Sequence, residues 1–408
     1  MKKTAALIIF IAFLSSAACG STVFLQITKN LQEKAEIVLL MDMTRDVYWN
    51  RFLATLGRDL EYSGYFKVNE SVFAGNIEEV KKKYPVEIVL SGSKTKHGVK
   101  IRVEDPLDEK TLFEKDYAAE ENPWHLAHKV NDDVVLSLTG RPGIALSKIL
   151  FVSDDTGRYQ LYSVDYDGEN RIQLTKAGHL VHYPKWLVTG REIVYVSYES
   201  GWPKLVRMNL KTGSVKTLIA EPGLNACASP NLKTGEMAVV LSRTGRPEVY
   251  IANFEGRILR QLTFSKSTNA SPSFSPSGDM LAFVSDRQGS PQIYTMTKNG
   301  TRIKRISYIS GYATSPAWSP DGSYIAYVFM SGRTYGLALY EPESETTKIV
   351  NDSLGSEDIS WAPDSRHIVY SDIKSKPSSI MVIDTITGEK RKLSIDRANS
   401  FSPNWSFN

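Results

Sequence analysis

The sequence predicts two domains: a small α+β N-terminal domain, then a six-bladed all-β propeller closed by the C-terminal strand. Three observations predict it. A repeat of 42 to 46 residues runs through the C-terminal two-thirds. That repeat opens on an incomplete unit and ends on the missing piece. The preceding third has no repeat and mixes helical with strand periodicity. With 408 residues and 42% apolar composition, the chain can build two cores.

Residues 1–20 have the pattern of an export signal: Lys2-Lys3, an apolar run from Leu7 to Leu14, then Ser16-Ala17-Ala18. The apolar run falls well short of the ~20 residues a bilayer-spanning helix needs, so no integral membrane span is expected. Cleavage near Ala18 would release a soluble chain outside the cytoplasm. Lipid anchoring through Cys19 is the minor alternative, because Ser16 stands where a lipoprotein signal carries an aliphatic residue. The other cysteine is Cys227, so no disulfide framework is possible in this chain. Lys and Arg number 49 against 45 acids, a dispersed +4 that does not predict nucleic-acid binding.

Residues 21–33 form an N-terminal extended segment, and 34–140 the α+β domain. Ile37 to Met41 reads as a strand. Asp46 to Leu60 reads as an amphipathic helix with Val47, Phe52, Leu53, Leu56 and Leu60 near one face, ended by Gly64. Asn76 and Glu79 have capping-box spacing for a short helix to Lys83. Strands follow at Val86 to Leu90, Val99 to Val103 and Thr111 to Asp116. Asn122, Pro123 and Gly140 bracket a second long helix. Arg141-Pro142-Gly143 is the hinge to the propeller, 141–408.

Each repeat opens on an anchor residue two after a proline: Trp186, Leu232, Phe274, Trp318 and Trp405, with Trp361 in an otherwise similar segment. Their gaps are 46, 42, 44, 43 and 44 residues. A turn follows, clearest at Ser319-Pro320-Asp321-Gly322. Then come an apolar strand such as Ile325 to Val328, a Gly-bearing loop, a third strand, a hairpin pair such as Asn299-Gly300, and a last strand ending Gln261-Leu262-Thr263 or Arg305-Ile306-Ser307. Residues 148–175 lack an anchor strand, and Phe401 to Ser406 supplies one. Joined, they make the sixth blade and hide two sheet edges.

There is no G-x-S-x-G elbow; the Gly pair at that spacing is Gly332 and Gly336, with Thr334 between. His125 and His128 are three apart on a helix without an HExxH motif, and read as surface residues. Asp286, Asp358 and Asp364 could gather at loops. There is no Walker loop and no dinucleotide fingerprint, so no cofactor and no catalytic or metal residue is assigned. Two alternatives to a protein-binding scaffold stay open. One is a lyase or hydrolase that uses the channel. The other is a glycan-binding module of the cell envelope with aromatics among Trp202, Tyr195 and Tyr198.

The segments Ser271 to Ser307 and Ser315 to Val328 resemble the repeat of the TolB family. Leu60 to Phe66, Val86 to Gly92, Trp124 to Val152 and the closing Ser402-Pro403-Asn404-Trp405-Ser406 extend the resemblance over nearly the whole chain. The resemblance implies a monomeric, non-enzymatic periplasmic component of the Tol-Pal system, acting in outer-membrane integrity and cell division. The implied partners are a Pal-like lipoprotein, docking on the propeller, and a TolA-like inner-membrane protein. The N-terminal segment matched here contains Val23, Phe24, Leu25 and Ile27, whose alternation suits strand addition. Blades two and three, at Trp186 to Gly190 and Leu232 to Gly235, depart from the family by lacking the Pro-Asp turn. In a propeller, the loops entering the inner strands and the loops joining strands two and three share one face. That face would carry Arg243, Arg246, Asn269, Arg287, Tyr312, Arg333 and Asp358 as partner-binding residues. Charge reversal of Arg243 with Arg287 is expected to weaken docking without lowering the melting temperature.

Overall fold

The computed structural model describes residues 33–42, 46–72, 86–356, 358–393 and 397–407. The expectations for the signal, for the strand-adding segment with Val23, Phe24, Leu25 and Ile27, and for the Asn76 capping box lie outside them.

The N-terminal domain is a five-stranded sheet with two helices on one face. Its strands are β1 (Ala35–Asp42), β2 (Phe66–Val72), β3 (Ile88–Lys94), β4 (Gly98–Asp105) and β5 (Lys110–Ala118), in the order β2-β1-β3-β4-β5. β1 is parallel to both neighbours, and the other pairings are antiparallel. Because strand side chains alternate, Ile37, Leu39 and Met41 of β1 enter the helix-covered core while Val38 and Leu40 join Val86 and Val89 opposite.

Helix α1 (Val47–Tyr62) starts where Asp46 accepts the Trp49 N–H at 2.8 Å. Trp49 fills the core position expected of Val47, which is exposed. Helix α2 (Pro123–Thr139) ends in left-handed Gly140, whose N–H returns to the Leu136 carbonyl at 2.9 Å. Asn122 stands at its N-cap position without a side-chain capping bond.

Six four-stranded sheets follow, and the ring closes as predicted. The strand Ser400–Trp405 pairs with Lys148–Ser153, Trp405 opposite Ile149 and Phe401 opposite Val152. The Trp405 indole donates to Ser147 Oγ at 2.7 Å, and the Ser406 hydroxyl accepts the Lys148 N–H at 2.9 Å.

One anchor moves. In the inner strand Asn225–Asn231, Pro230 pairs with Met237, the register that Phe274 holds with Leu281 and Trp318 with Ile325. Leu232 lies beyond the strand and is exposed. With Pro230 in its place, the anchor spacings become 44, 44, 44, 43 and 44 residues. The residue three before the anchor is left-handed in five blades: Tyr183, Cys227, Ser271, Ser315 and Ser402, with φ between 48° and 55°. At each, the strand pairing skips, as at a β-bulge.

The residue before each anchor ties neighbouring blades together around the bore. Asn404 Oδ1 accepts the Trp186 N–H at 2.9 Å, Ser229 Oγ that of Phe274 at 3.2 Å, Ser273 Oγ that of Trp318 at 3.0 Å, and Ser360 Oγ that of Trp405 at 3.1 Å. Two junctions differ. Ala317 offers its carbonyl to the Trp361 indole at 2.9 Å, and Lys185 faces Pro230, which has no N–H.

The Leu-Thr motif that ends the outer strands also has a physical cause. The hydroxyls of Thr175, Thr263 and Ser307 accept the N–H groups of Leu161, Val249 and Ile293 and donate to Gln160, Glu248 and Gln292. This clasp holds the fourth strand to the third where the ladder ends.

Candidate functional site

Strand alternation gives the disc two unlike faces. The turns between strands one and two and between strands three and four lie on the face that meets the N-terminal domain. There Arg366, only 3% exposed, donates to Asp384 at 2.7 and 3.0 Å and to the Gly64 carbonyl at 2.8 Å, and stacks on Tyr65. Burial alone would raise the Asp384 pKa, but the Arg366 hydrogen bonds and nearby positive charges hold it below the ordinary carboxylate range.

Beside it, His128 is buried rather than on the surface. Its Nδ1 lies 2.6 Å from Asp59 Oδ2, and its Nε2 is 3.8 Å from Asp167. Sequence reasoning missed this because Asp59 and Asp167 come from α1 and from the first blade. Asp59, His128 and Asp167 bring ligand-type atoms within 4.8 Å of one another. Arg58 and Tyr166 already bond the two carboxylates, which makes the cluster an ion network between the domains. His125, by contrast, is exposed and pairs with Glu120.

Burial pulls the His128 pKa down, but the Asp59 hydrogen bond and the Asp59 and Asp167 charges outweigh it and raise the pKa. A raised folded-state pKa stabilises fully below the unfolded value of about 6.5 and is lost as pH rises through the folded value. The melting temperature of the native chain should therefore fall relative to that of His128→Gln as pH rises from about 6.5 through the raised folded-state pKa. Parallel curves in thermal melts would remove His128 from the account.

The opposite, loop face carries the loops that enter the inner strands and those joining strands two and three. All seven predicted propeller residues belong to this end, but they are not equivalent. Arg333 and Arg246 are exposed; Arg246 donates to the Lys266 carbonyl at 2.6 Å. Arg243 is exposed and meets Glu221 at 3.3 Å. Tyr312 is half-buried, its ring 6.4 Å from that of Tyr335.

Asn269 is fully buried and cannot touch a partner directly. Its amide bonds Glu248, Ser265 and Ser267, and its oxygen accepts from Arg287 at 3.0 Å. Arg287 is itself fixed: it bonds Ser285 at 3.0 Å and lies over the rings of Phe283 and Tyr294. Reversing its charge would break this packing, so Arg287 cannot serve as a stability-neutral probe.

Asp358 faces the bore, where Ser402 donates to it at 3.0 Å and His182 Nδ1 lies 3.3 Å from the same hydroxyl. Burial lowers the His182 pKa, against the pull of Asp358, and burial raises that of the Cys227 thiol. Asp286 caps the Thr268 N–H and Asp364 pairs with His367 on the other face, so these three aspartates do not gather.

The sequence also understated the aromatics of the loop face. Trp202, Phe264 and Tyr308 are 73%, 77% and 69% exposed. Phe264 and Tyr308 directly follow the clasp residues Thr263 and Ser307, where the chain is already leaving the sheet. That position was the available signal. Of the aromatics considered for a glycan platform, Tyr195 is buried and Tyr198 half-buried, leaving Trp202 exposed.

A family model, the TolB beta propeller domain, matches residues 135–408. The chain is 31% identical over 186 residues to the Tol-Pal system protein TolB of Desulfosudis oleivorans, covering 44% of this chain and 42% of that one. It is 32% identical over 157 residues to the TolB homolog of Chlorobaculum tepidum, covering 38% and 36%. The matched segments thus span less than half the length of these relatives. The fold is similar to the crystal structure of TolB from Acinetobacter baumannii, with a TM-score of 0.80, 22% identity, and coverage of 92% of this chain and 97% of that chain. Among the described residues, no helix is long and apolar enough to cross a membrane. With two-thirds of its length matched and the blade repeat, bore and N-terminal domain in place, the chain belongs to the TolB beta propeller family.

Proposed function

We propose that the chain is a periplasmic protein-interaction scaffold of the Tol-Pal system, and that a Pal-like lipoprotein docks on the loop face. One observation carries the reading. The most exposed aromatics of the propeller, Trp202, Phe264 and Tyr308, stand on the face that carries Arg243, Arg246 and Arg333 and that the described residues of the N-terminal domain leave open. Aromatic and Arg side chains are the residue types that dominate protein interfaces. Engagement of a TolA-like protein by the segment with Val23, Phe24, Leu25 and Ile27 is the second part of the proposal.

The test uses Arg243→Glu with Arg333→Glu, both exposed and outside the blade cores. Affinity for the purified soluble domain of a Pal-like lipoprotein should fall at least about tenfold by calorimetry, the order of magnitude for losing one interface anchor. The melting temperature should stay within about a degree, as for surface substitutions. Unchanged affinity, with Phe264→Ala also silent, would refute docking at this face.

A further inference from the structure

Lys185 occupies the bore position at which four of the other blades carry Ser or Asn. Those residues accept an anchor N–H from the next blade, whereas Lys185 meets Pro230, which has none to give. Its ammonium has no hydrogen-bond or ion-pair partner within 4.0 Å among the described residues. Burial pushes its pKa below the ordinary lysine range, against the pull of Asp358 and Cys227. Asp358 is itself engaged by Ser402.

Lys185 is half-buried, its stem held in the inner strand, so its ammonium is left in the bore with no counterion beside it, a placement open to an anionic ligand. Lys185 lies at the waist between two cavities, one of about 90 Å³ toward the loop face and one of about 360 Å³ toward the domain face. The larger is walled by Phe274, Trp318 and Trp361, with Lys185 at its inner end and the exposed Lys233 also in its lining, and no described residue of the N-terminal domain lines it. Its size and apolar walls suit a small ligand with few polar groups.

We propose that this cavity binds a carboxylate borne on an aromatic-sized apolar body, with the carboxylate on Lys185 and the body against Phe274, Trp318 and Trp361. The carboxylate could be that of a free acid or of a peptide C-terminus, and the same residues would recognise either. The site opens on the face opposite the proposed docking surface, so it stands or falls independently of that reading.

The experiment titrates the full chain with phenylacetate and with N-acetyl-Gly-Phe, following tryptophan fluorescence and calorimetry. Each acid is compared with its neutral counterpart, phenethyl alcohol or the dipeptide amide. Saturable binding of at least one acid is expected, at least about tenfold tighter than its neutral counterpart, the order expected for one charge-assisted contact. Lys185→Met should abolish that preference while the fold, checked by circular dichroism, is retained. Phenylacetate alone binding points to a free acid, and the dipeptide binding points to a chain terminus. Neither acid binding, or equal binding of acid and neutral counterpart by the native chain, overturns the proposal. That last comparison needs no variant, so it decides even if Lys185→Met fails to fold.

Discussion

Trp405→Ala is expected to lower the free energy of unfolding by about 3–5 kcal/mol, the range for truncating a large buried aromatic. Trp405 is fully buried among Ile149, Phe151, Tyr162, Val369 and Val382, side chains of the first and last blades. Its loss empties the seam where the ring is joined and removes the N–H that the Ser147 hydroxyl accepts, leaving that hydroxyl only its bond to the Ile144 carbonyl. Trp405→Phe keeps much of the packing and forfeits the indole bond, so it should cost less. Equilibrium urea unfolding measures both. A cost for Trp405→Ala below about 1 kcal/mol, the level of an ordinary substitution, would mean that the closing strand is not what holds the ring shut.

Arg366→Met should be comparably damaging, at about 3–5 kcal/mol, for an electrostatic reason. The substitution preserves much of the side-chain volume but leaves the Asp384 carboxylate buried and unpaired, and removes the donor to the Gly64 carbonyl at the end of α1. Replacing both members, as Arg366→Met with Asp384→Leu, should recover much of the loss, because the penalty lies in the orphaned charge rather than in the missing pair. Urea unfolding of the two variants checks it. A double variant no better than the single would show that packing on Tyr65, and not the ion pair, is what Arg366 contributes.

The propeller was legible because its signal is periodic and local. Five blades carry an aromatic anchor and three a hydroxyl clasp, at near-constant spacing, and each part acts within or next to its own sheet. Where the local signal was ambiguous, the reading slipped. Ser229-Pro230 imitates the Ser-Pro pair before an anchor, so Leu232 was placed two residues out of register, whereas the left-handed backbone at Cys227 fixes Pro230 as the true equivalent. The interdomain network was not legible. His128 reads as a surface histidine until α1 and the first blade supply Asp59 and Asp167 from 69 and 39 residues away. The sequence grouped the seven loop residues at one end of the disc, as the structure does, but did not show which of their side chains are exposed there. Asn269 and Arg287 bind each other instead, through a loop whose hydrogen bonds no periodicity reveals.

The bond between the Trp405 indole and Ser147 spans 258 residues. Such a separation gives this seam a high contact order and a large loop-closure entropy, which slow the step that forms it. The five blades between Val181 and Lys392 are each built from consecutive strands and can assemble without waiting for it. Refolding should therefore finish on one late, slow event, with the backbone edge of Lys148–Ser153 uncapped until then. In that interval the chain is most prone to capture a strand from a neighbour, so dilution should improve its refolding yield.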